Sequence, residues 1–345
     1  MHLGAWVWTL FWGLSQAWAG YDVGVLIWSE TIPGQIAMRQ GLEAEAGRLR
    51  AAGASLQLHV HVAGDGEKGI ERQIRQMEAL VAQGVDAIVV QPTDSAALSA
   101  PLRKANAAGI PVVAYDQYIR GGDVAAYLTS DNRQAGRLDG EYIAARFPDD
   151  RPLRLVLVEY PHVSSTIERV DGFMDALEAA GQPVTVVGTF QGVDPVSGAR
   201  AAAQLLAAHP EKGSVDVVFT VNDGGGLAVV DALAAAGRDE IVVATIDGDP
   251  ASVANVRAGR LTVIDAAQFC GELGAAAMRA TYAVVQGKPV ERHQLVPTFP
   301  ITRETVDLYE GWAAPLPEAV ALPWSTSEPQ WRPTLRGSGV ADGPR

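Results

Sequence analysis

The sequence predicts an α/β protein built as two doubly wound parallel-sheet lobes joined by a multi-strand hinge. Short β-branched runs alternate with Ala-rich amphipathic stretches from Tyr21 to Tyr309. Runs that are apolar at every position, rather than at alternate ones, belong to parallel strands covered by helices on both faces. Roughly ten such units exceed what one open twisted sheet comfortably holds. The rhythm also breaks near residue 130, where Ser130-Asp131-Asn132 follows a strand and opens a helix. Two lobes with several crossings between them satisfy all three observations.

DVGVLIW (22–28) reads as the first strand and 35–52 as the helix that returns the chain. SLQLHVHV (55–62), a helix over 70–83, AIVVQ (87–91), a helix over 95–108, PVVAY (111–115) and VAAYLT (124–129) complete the first run. After the helix Gln134–Arg146 the pattern resumes with the strands RLVLVE (154–159), PVTVVGT (183–189), VDVVFT (215–220) and IVVATID (241–247). Helices over 165–180, 195–208, 226–236 and 251–258 separate them. LTVIDAAQ (261–268) is a crossing strand followed by a helix over 272–286, and PTFPITRETVDLY (297–309) reads as extended and then helical. Residues 20–130 with 269–297 are expected in the N-terminal lobe, and 131–268 with 298–310 in the C-terminal one. The tail 311–345 carries Pro315, Pro317, Pro323, Pro329, Pro333 and Pro344 without periodicity, so it is expected to be extended or disordered.

Composition excludes several classes. A net charge of −13 over 345 residues opposes binding to a phosphate backbone or an anionic membrane surface. No helix-turn-helix or basic stretch precedes Tyr21, so nucleic acid is not an expected partner. Residues 1–19 contain no Asp, Glu, Lys or Arg, run apolar from Ala5 to Leu14 and end Ala17-Trp18-Ala19. That pattern reads as a signal peptide cleaved near Ala19, although the usual basic leading region is missing. Cys270 is the sole cysteine, which rules out an intrachain disulfide, and it reads as a buried inert thiol.

No GxSxG, HExxH or Cys/His cluster occurs, and neither a metal nor a cofactor is expected. Gly64-Asp65-Gly66-Glu67-Lys68-Gly69 matches the GxGxxG pattern, but Asp65 and Glu67 would set negative charge against a pyrophosphate. His59 and His61 share a strand face without a placed carboxylate, weak grounds for a metal site.

Ligands of doubly wound sheets bind at the carboxyl ends of the strands. The polar residues there include Trp28, Gln91, Asp116, Gln117, Asn222, Asp223, Asp247 and Gln268, with Arg169 early on a following helix. Asp, Asn, Gln and Arg form bidentate, often charge-assisted hydrogen bonds to vicinal hydroxyls, and an aromatic face stacks on sugar C–H surfaces. Asp94 and Asn132 also have the reading of helix caps, and Asp223 that of a turn or cap. Trp28 serves equally as core packing. Arg169 in a first helical turn opposes the helix dipole, so another role, such as ligand contact, is expected of it.

The segment 84–116 (GVDAIVVQPTDSAALSAPLRKANAAGIPVVAYD) resembles the first lobe of the type I periplasmic sugar-binding proteins, the ribose-binding-protein group. ERVDGFMDAL (168–177), TVNDGGGLAVVDALAAAG (220–237), VVATIDGDP (242–250) and the strand ending at Gln268 resemble its second lobe in order and spacing. The resemblance implies a periplasmic solute-binding protein that closes on a sugar or polyol and passes it to the permease of an ABC importer, acting as a monomer. It implies ligand contacts at Asp116, Arg169, Asn222, Asp247 and Gln268, to which Trp28 is added as a stacking surface. Gln117 stands where ribose binders often carry Arg, and Pro33-Gly34-Gln35 where they carry aromatic residues, so the identity of the sugar is open. A sensor module that signals to a membrane kinase or chemoreceptor would use the same closing lobes.

Overall fold

The computed structural model describes residues 20–147, 151–334 and 336–337. The segment 1–19 assigned above to a signal peptide lies outside the described residues.

The chain first lays down β1 (Tyr21–Ile27), α1 (Pro33–Ala51), β2 (Leu56–Val62), α2 (Gly66–Gln83), β3 (Ala87–Val90), α3 (Ser99–Ala107), β4 (Val112–Tyr115) and β5 (Ala126–Ser130). It then crosses to α4 (Asn132–Arg146), β6 (Leu153–Glu159), α5 (Ser164–Ala179), β7 (Val184–Gln191), α6 (Pro195–Ala208), β8 (Val217–Thr220), α7 (Asp223–Ala235), β9 (Val242–Asp247), α8 (Pro250–Ala258) and β10 (Thr262–Ala267). It returns through α9 (Cys270–Val285) and β11 (His293–Val296), and crosses a third time into β12 (Phe299–Ile301) and a 3-10 turn at Val306–Leu308. Three short strands come last, β13 (Val320–Ala321), β14 (Gln330–Trp331) and β15 (Arg336–Gly337).

The strands form two main sheets. One has the order β15-β11-β5-β4-β3-β1-β2 and the other β12-β10-β9-β8-β6-β7. Every pairing within them is parallel except those of the added strands β12 and β15. Ile88, Val89, Val90, Val112 and Val113 in one sheet, and Val217, Val218 and Phe219 in the other, are wholly buried. Helices on both faces cause that burial, which accounts for the unbroken apolar runs. The α/β two-lobe fold is as the sequence predicts.

Several helix pairs pack backbone to backbone, two of them beside the cleft. A Cβ on Gly136 of α4 would lie 1.9 Å from the Arg169 carbonyl oxygen of α5. One on Gly274 of α9 would lie 1.8 Å from the Met38 carbonyl oxygen of α1. Only glycine allows these approaches, and they fix the depth at which α5 and α1 carry their side chains into the space between the sheets.

Three details depart from the sequence reading. Asp131, not Asn132, caps α4, accepting from the Gln134 amide at 2.9 Å. Arg169 lies in the second turn of α5, because that helix starts at Ser164. The segment after 310 is extended but docked, not disordered, over its described part: Leu322 and Trp331 are fully buried in a core cluster that draws on both lobes. Single apolar anchors, rather than a periodic face, hold it there.

Candidate functional site

The carboxyl ends of β1, β4, β8, β9 and β10 converge between the lobes, and each carries a polar or aromatic residue at its end or within the next two positions. Trp28, Asp116, Arg169, Asn222, Asp247 and Gln268 line one cleft, together with Gln35 and Met38 of α1 and Ser165 of α5. All six residues singled out in the sequence are therefore brought together, each at most 5% exposed.

Arg169, Asp247 and Gln268 do not simply face one another; they are bonded together, while Asp116 and Asn222 are held by neighbours outside the six. Arg169 donates from Nε to Asn132 Oδ1 at 2.9 Å, and from one terminal nitrogen to the Val221 carbonyl at 2.7 Å and Asp247 Oδ1 at 3.1 Å. Gln268 Nε2 also donates to Asp247 Oδ1, and Ser130 Oγ donates to Gln268 Oε1 at 2.7 Å. In the first lobe's half, Gln91 Nε2 donates to Asp116 Oδ2 at 2.9 Å. Asn222 caps α7 through the Gly225 amide at 3.2 Å while its Nδ2 donates to the Val193 carbonyl at 2.9 Å. Asn132, read from sequence as a cap, instead holds the guanidinium in place.

The lobes meet at this cleft. Gln117 Oε1 accepts from Ser165 Oγ at 2.9 Å, and the Tyr118 amide donates to Ser164 Oγ at 3.1 Å. Trp28 from one lobe packs on Tyr160 from the other, ring centres 6.2 Å apart. The free space left between these groups is about 30 Å³, room for one or two water molecules.

Both cleft carboxylates sit on unusual backbone. Asp116 has φ 65° and Asp247 φ 134°, two of the three non-glycine residues with positive φ among the described residues. Such conformations cost on the order of 1–3 kcal/mol each and persist where surrounding bonds fix them. The Asp247 carbonyl accepts from the Gln268 amide at 3.0 Å and from Trp312 Nε1 at 2.7 Å, which supplies that fixing. The backbone turn aims each carboxylate into the cleft instead of along its strand.

Burial penalises the charged forms. It pushes the Asp247 carboxyl up to about 6, against the opposing pull of Arg169 and the Gln268 hydrogen bond. Asp116 is raised for the same reason, and Gln91 and Arg169 partly offset the rise. Behind the cleft, Asp139, Asp223 and Asp265 are fully buried, and desolvation together with mutual repulsion lifts all three above the usual carboxylate range. Asp223 accepts from Thr245 Oγ1 and the Asp249 amide, an internal role and not a cleft contact. Burial also raises the Cys270 thiol, which disfavours its thiolate form.

Gln35 entered the sequence reading only within the segment that replaces the aromatic residues of ribose binders, and Ser165 escapes it. They lie in the first turns of α1 and α5, where no sequence feature separates a cleft residue from a capping one. Gln91, noted from its place at a strand end, acts on Asp116 from behind and does not line the cleft. Among the described residues no group of acids, histidines and cysteines is arranged to hold a metal ion, and no helix is long and apolar enough to cross a membrane.

A fold, a cleft between lobes and convergent polar strand ends invite comparison with known proteins. The chain is 28% identical to the ribose import binding protein of Bacillus subtilis over 79% of its own length and 84% of that protein. It is 27% identical to the ribose import binding protein of Escherichia coli, over 80% and 89% respectively. Among solved structures it resembles an ABC transporter solute binding protein of Bacillus halodurans with bound myo-inositol, with a TM-score of 0.74, 25% identity, and 84% of this chain and 97% of that one covered. The Caulobacter myo-inositol binding protein gives a TM-score of 0.73 and 25% identity, with 86% and 97% covered. The model of the periplasmic binding protein domain matches residues 23–289, and the chain belongs to that family.

Proposed function

We propose that this chain is an exported solute-binding protein that closes on a monosaccharide or cyclic polyol and hands it to an ABC importer. The observation that carries the reading is the set of groups at the cleft: two carboxylates, one guanidinium and four carboxamides, contributed by both lobes beside an indole face. Carboxylates accept from hydroxyls, the guanidinium donates to hydroxyl or ring oxygens, and carboxamides do both. Few other small uncharged molecules offer so many alternating donors and acceptors. The names of the relatives, which bind ribose and myo-inositol, support the same class.

In this reading the bonds that the cleft residues now make with each other are exchanged for bonds to ligand hydroxyls. Arg169 and Asp247, held by Asn132 and Gln268, form the second lobe's half of the site. Asp116, held by Gln91, forms the first lobe's half, and Trp28 supplies a flat apolar surface. Only a ligand that bonds to both halves at once favours the closed arrangement over an open one. Micromolar affinity needs about 8 kcal/mol. Hydrogen bonds to charged groups, at roughly 1.5–3 kcal/mol each, reach that with four or five residues. No bond of the ligand is made or broken. The three crossings, near residues 131, 268 and 297, are the proposed hinge, and the apolar segment 1–19 is the proposed export signal.

A thermal-shift screen of the purified chain against pentoses, hexoses, inositols, amino acids and nucleosides tests the class. A ligand that binds only the folded state raises the melting temperature by mass action. The expected hit is a sugar or cyclic polyol. A shift from an amino acid or nucleoside, with silence from every sugar and polyol, would overturn the substrate class.

A further inference from the structure

The matched family model ends at residue 289, yet the chain continues past the last element of the second lobe and runs back over the molecule. It is anchored in turn at each of the three crossings between the lobes. Trp312 comes first: its carbonyl accepts from the Gly271 amide at the start of α9, while its Nε1 donates to the Asp247 carbonyl at the end of β9. One residue thus ties the first lobe to the second at the floor of the cleft, beside the β10–α9 crossing.

Next, Ser325 donates to Glu141 of α4, and Glu328 accepts from Arg137 at 2.6 Å and Gln134 Nε2 at 3.0 Å. Gln134 in turn accepts from the Thr298 amide at 2.9 Å, so this anchor spans the β5–α4 and β11–β12 crossings together. Trp331 then donates from Nε1 to the Thr298 carbonyl at 2.6 Å and packs edge-on against Phe299. Finally β15 adds an antiparallel edge to β11, in the first lobe's sheet. Trp324 lies between the anchors and packs against the cores of both lobes.

We propose that residues 311–337 form a strap across the hinge that holds the lobes in their closed arrangement and thereby sets how tightly the cleft binds its ligand. Rotation of one lobe against the other moves α4 relative to β11 and β9 relative to α9. Each movement breaks at least one strap anchor, so the strap raises the cost of opening. A ligand that needs the closed state binds more tightly in proportion to how much of that state is populated beforehand. The affinity part of this inference rests on the proposed solute-binding function; the mechanical part does not.

The test uses the full chain with spin labels at Glu67→Cys and Val196→Cys, exposed first-turn positions of α2 and α6 on the two lips of the cleft. Asp65, just before α2, accepts from Thr31 Oγ1 at 2.6 Å, and Ile32 beside that threonine and Val193 just before α6 both line the cleft, which places the two helix starts on its rim. Cys270 is buried and takes no label. Pulsed electron resonance without ligand is compared between this background and the double variant Trp312→Phe, Trp331→Phe, which keeps an aromatic ring at both positions and removes both N–H donors. The strap predicts a new population at longer separation in the variant. Affinity for D-ribose or myo-inositol, whichever binds, is expected to fall about fivefold, equivalent to one net hydrogen bond of about 1 kcal/mol. Superimposable distance distributions overturn the strap, whatever binds. If neither sugar binds the labelled background, the functional reading fails and the distances alone judge the strap. Should the double variant not fold, Glu328→Gln in the same background weakens the α4 anchor and carries the same expectation.

Discussion

Replacing Arg169 with Met removes a buried guanidinium while keeping much of its volume, and the structure sets the size of the loss. Three acceptors lose a donor: Asn132 Oδ1, the Val221 carbonyl and Asp247 Oδ1, of which Asp247 Oδ1 keeps Gln268 Nε2. Counting each charged hydrogen bond at its own worth would overstate the loss, because the three bonds are broken together and Asp247 stays partly paired. Breaking a buried ion pair from one side costs about 3–5 kcal/mol. The stability share of that cost is limited, since Asp247 already titrates near 6 and takes up a proton at neutral pH once its cation is gone. The affinity share is not limited in this way, because a protonated Asp247 accepts poorly and the main donor is absent. At about 1.4 kcal/mol per decade, binding should weaken by two orders of magnitude or more. Arg169→Lys keeps the charge but not the fork, and should fall between the two. Calorimetric titration with the sugar or polyol found by screening, beside a melting curve for each variant, separates folding from binding. Affinity of Arg169→Met within threefold of the parent, in a folded protein, would refute the site.

Three further outcomes rest on the same geometry. In the proposed function Asp247 accepts ligand hydroxyls as an anion, so affinity should fall as pH drops below its value of about 6, by up to roughly tenfold per unit. Equal affinity at pH 5 and 7.5 would remove Asp247 from the contact set. Burial raises Asp265 in the folded state, in the company of Asp139, Asp223 and the nearby Ser252. A raised carboxyl contributes stability that is full below the unfolded value of 3.8 and is lost as pH rises through the folded one. The melting temperature should therefore decline from pH 5 to 8.5, and Asp265→Asn should flatten that decline; an unchanged slope would contradict the assignment. Gly136→Ala would set a Cβ 1.9 Å from the Arg169 carbonyl, costing about 1–3 kcal/mol by overpacking. It should weaken ligand binding as well as folding, and a loss of stability with unaltered affinity would argue that α5 does not position Arg169.

The legible and illegible parts of the sequence divide along physical lines. Strands such as AIVV and VVFT declare themselves because their burial on both faces demands unbroken apolar residues. The polar residues that end them stand out because a parallel sheet presents its carboxyl ends to the same opening. That is why Asp116, Asn222, Asp247 and Gln268 could be read before any geometry was known. The positive φ of Asp116 and Asp247 could not, since neither position is itself a glycine; Gly248, φ 78°, marks the turn only after Asp247. Nor could the division of labour between Asp131 and Asn132: adjacent polar residues at a helix start offer the same chemistry, and only the register decides which one caps. β11, flanked by β5 and the two-residue β15, is a strand of half-buried His293, Gln294 and Leu295, without the apolar run that betrayed its neighbours. The strap was illegible for the opposite reason. Its anchors Trp312, Leu322, Trp324 and Trp331 are irregularly spaced among prolines, and such spacing has no signature of its own.

The claim that matters most is that one small polyhydroxylated molecule is held by both lobes at once. A crystal structure of the chain grown with the sugar or polyol that gives the largest thermal shift measures this directly. The account predicts the ligand between Trp28 and Arg169, with hydroxyls bonded to Asp116 on one side and to Arg169, Asn222, Asp247 and Gln268 on the other. A ligand bound to one lobe alone, or outside this cleft, would contradict it.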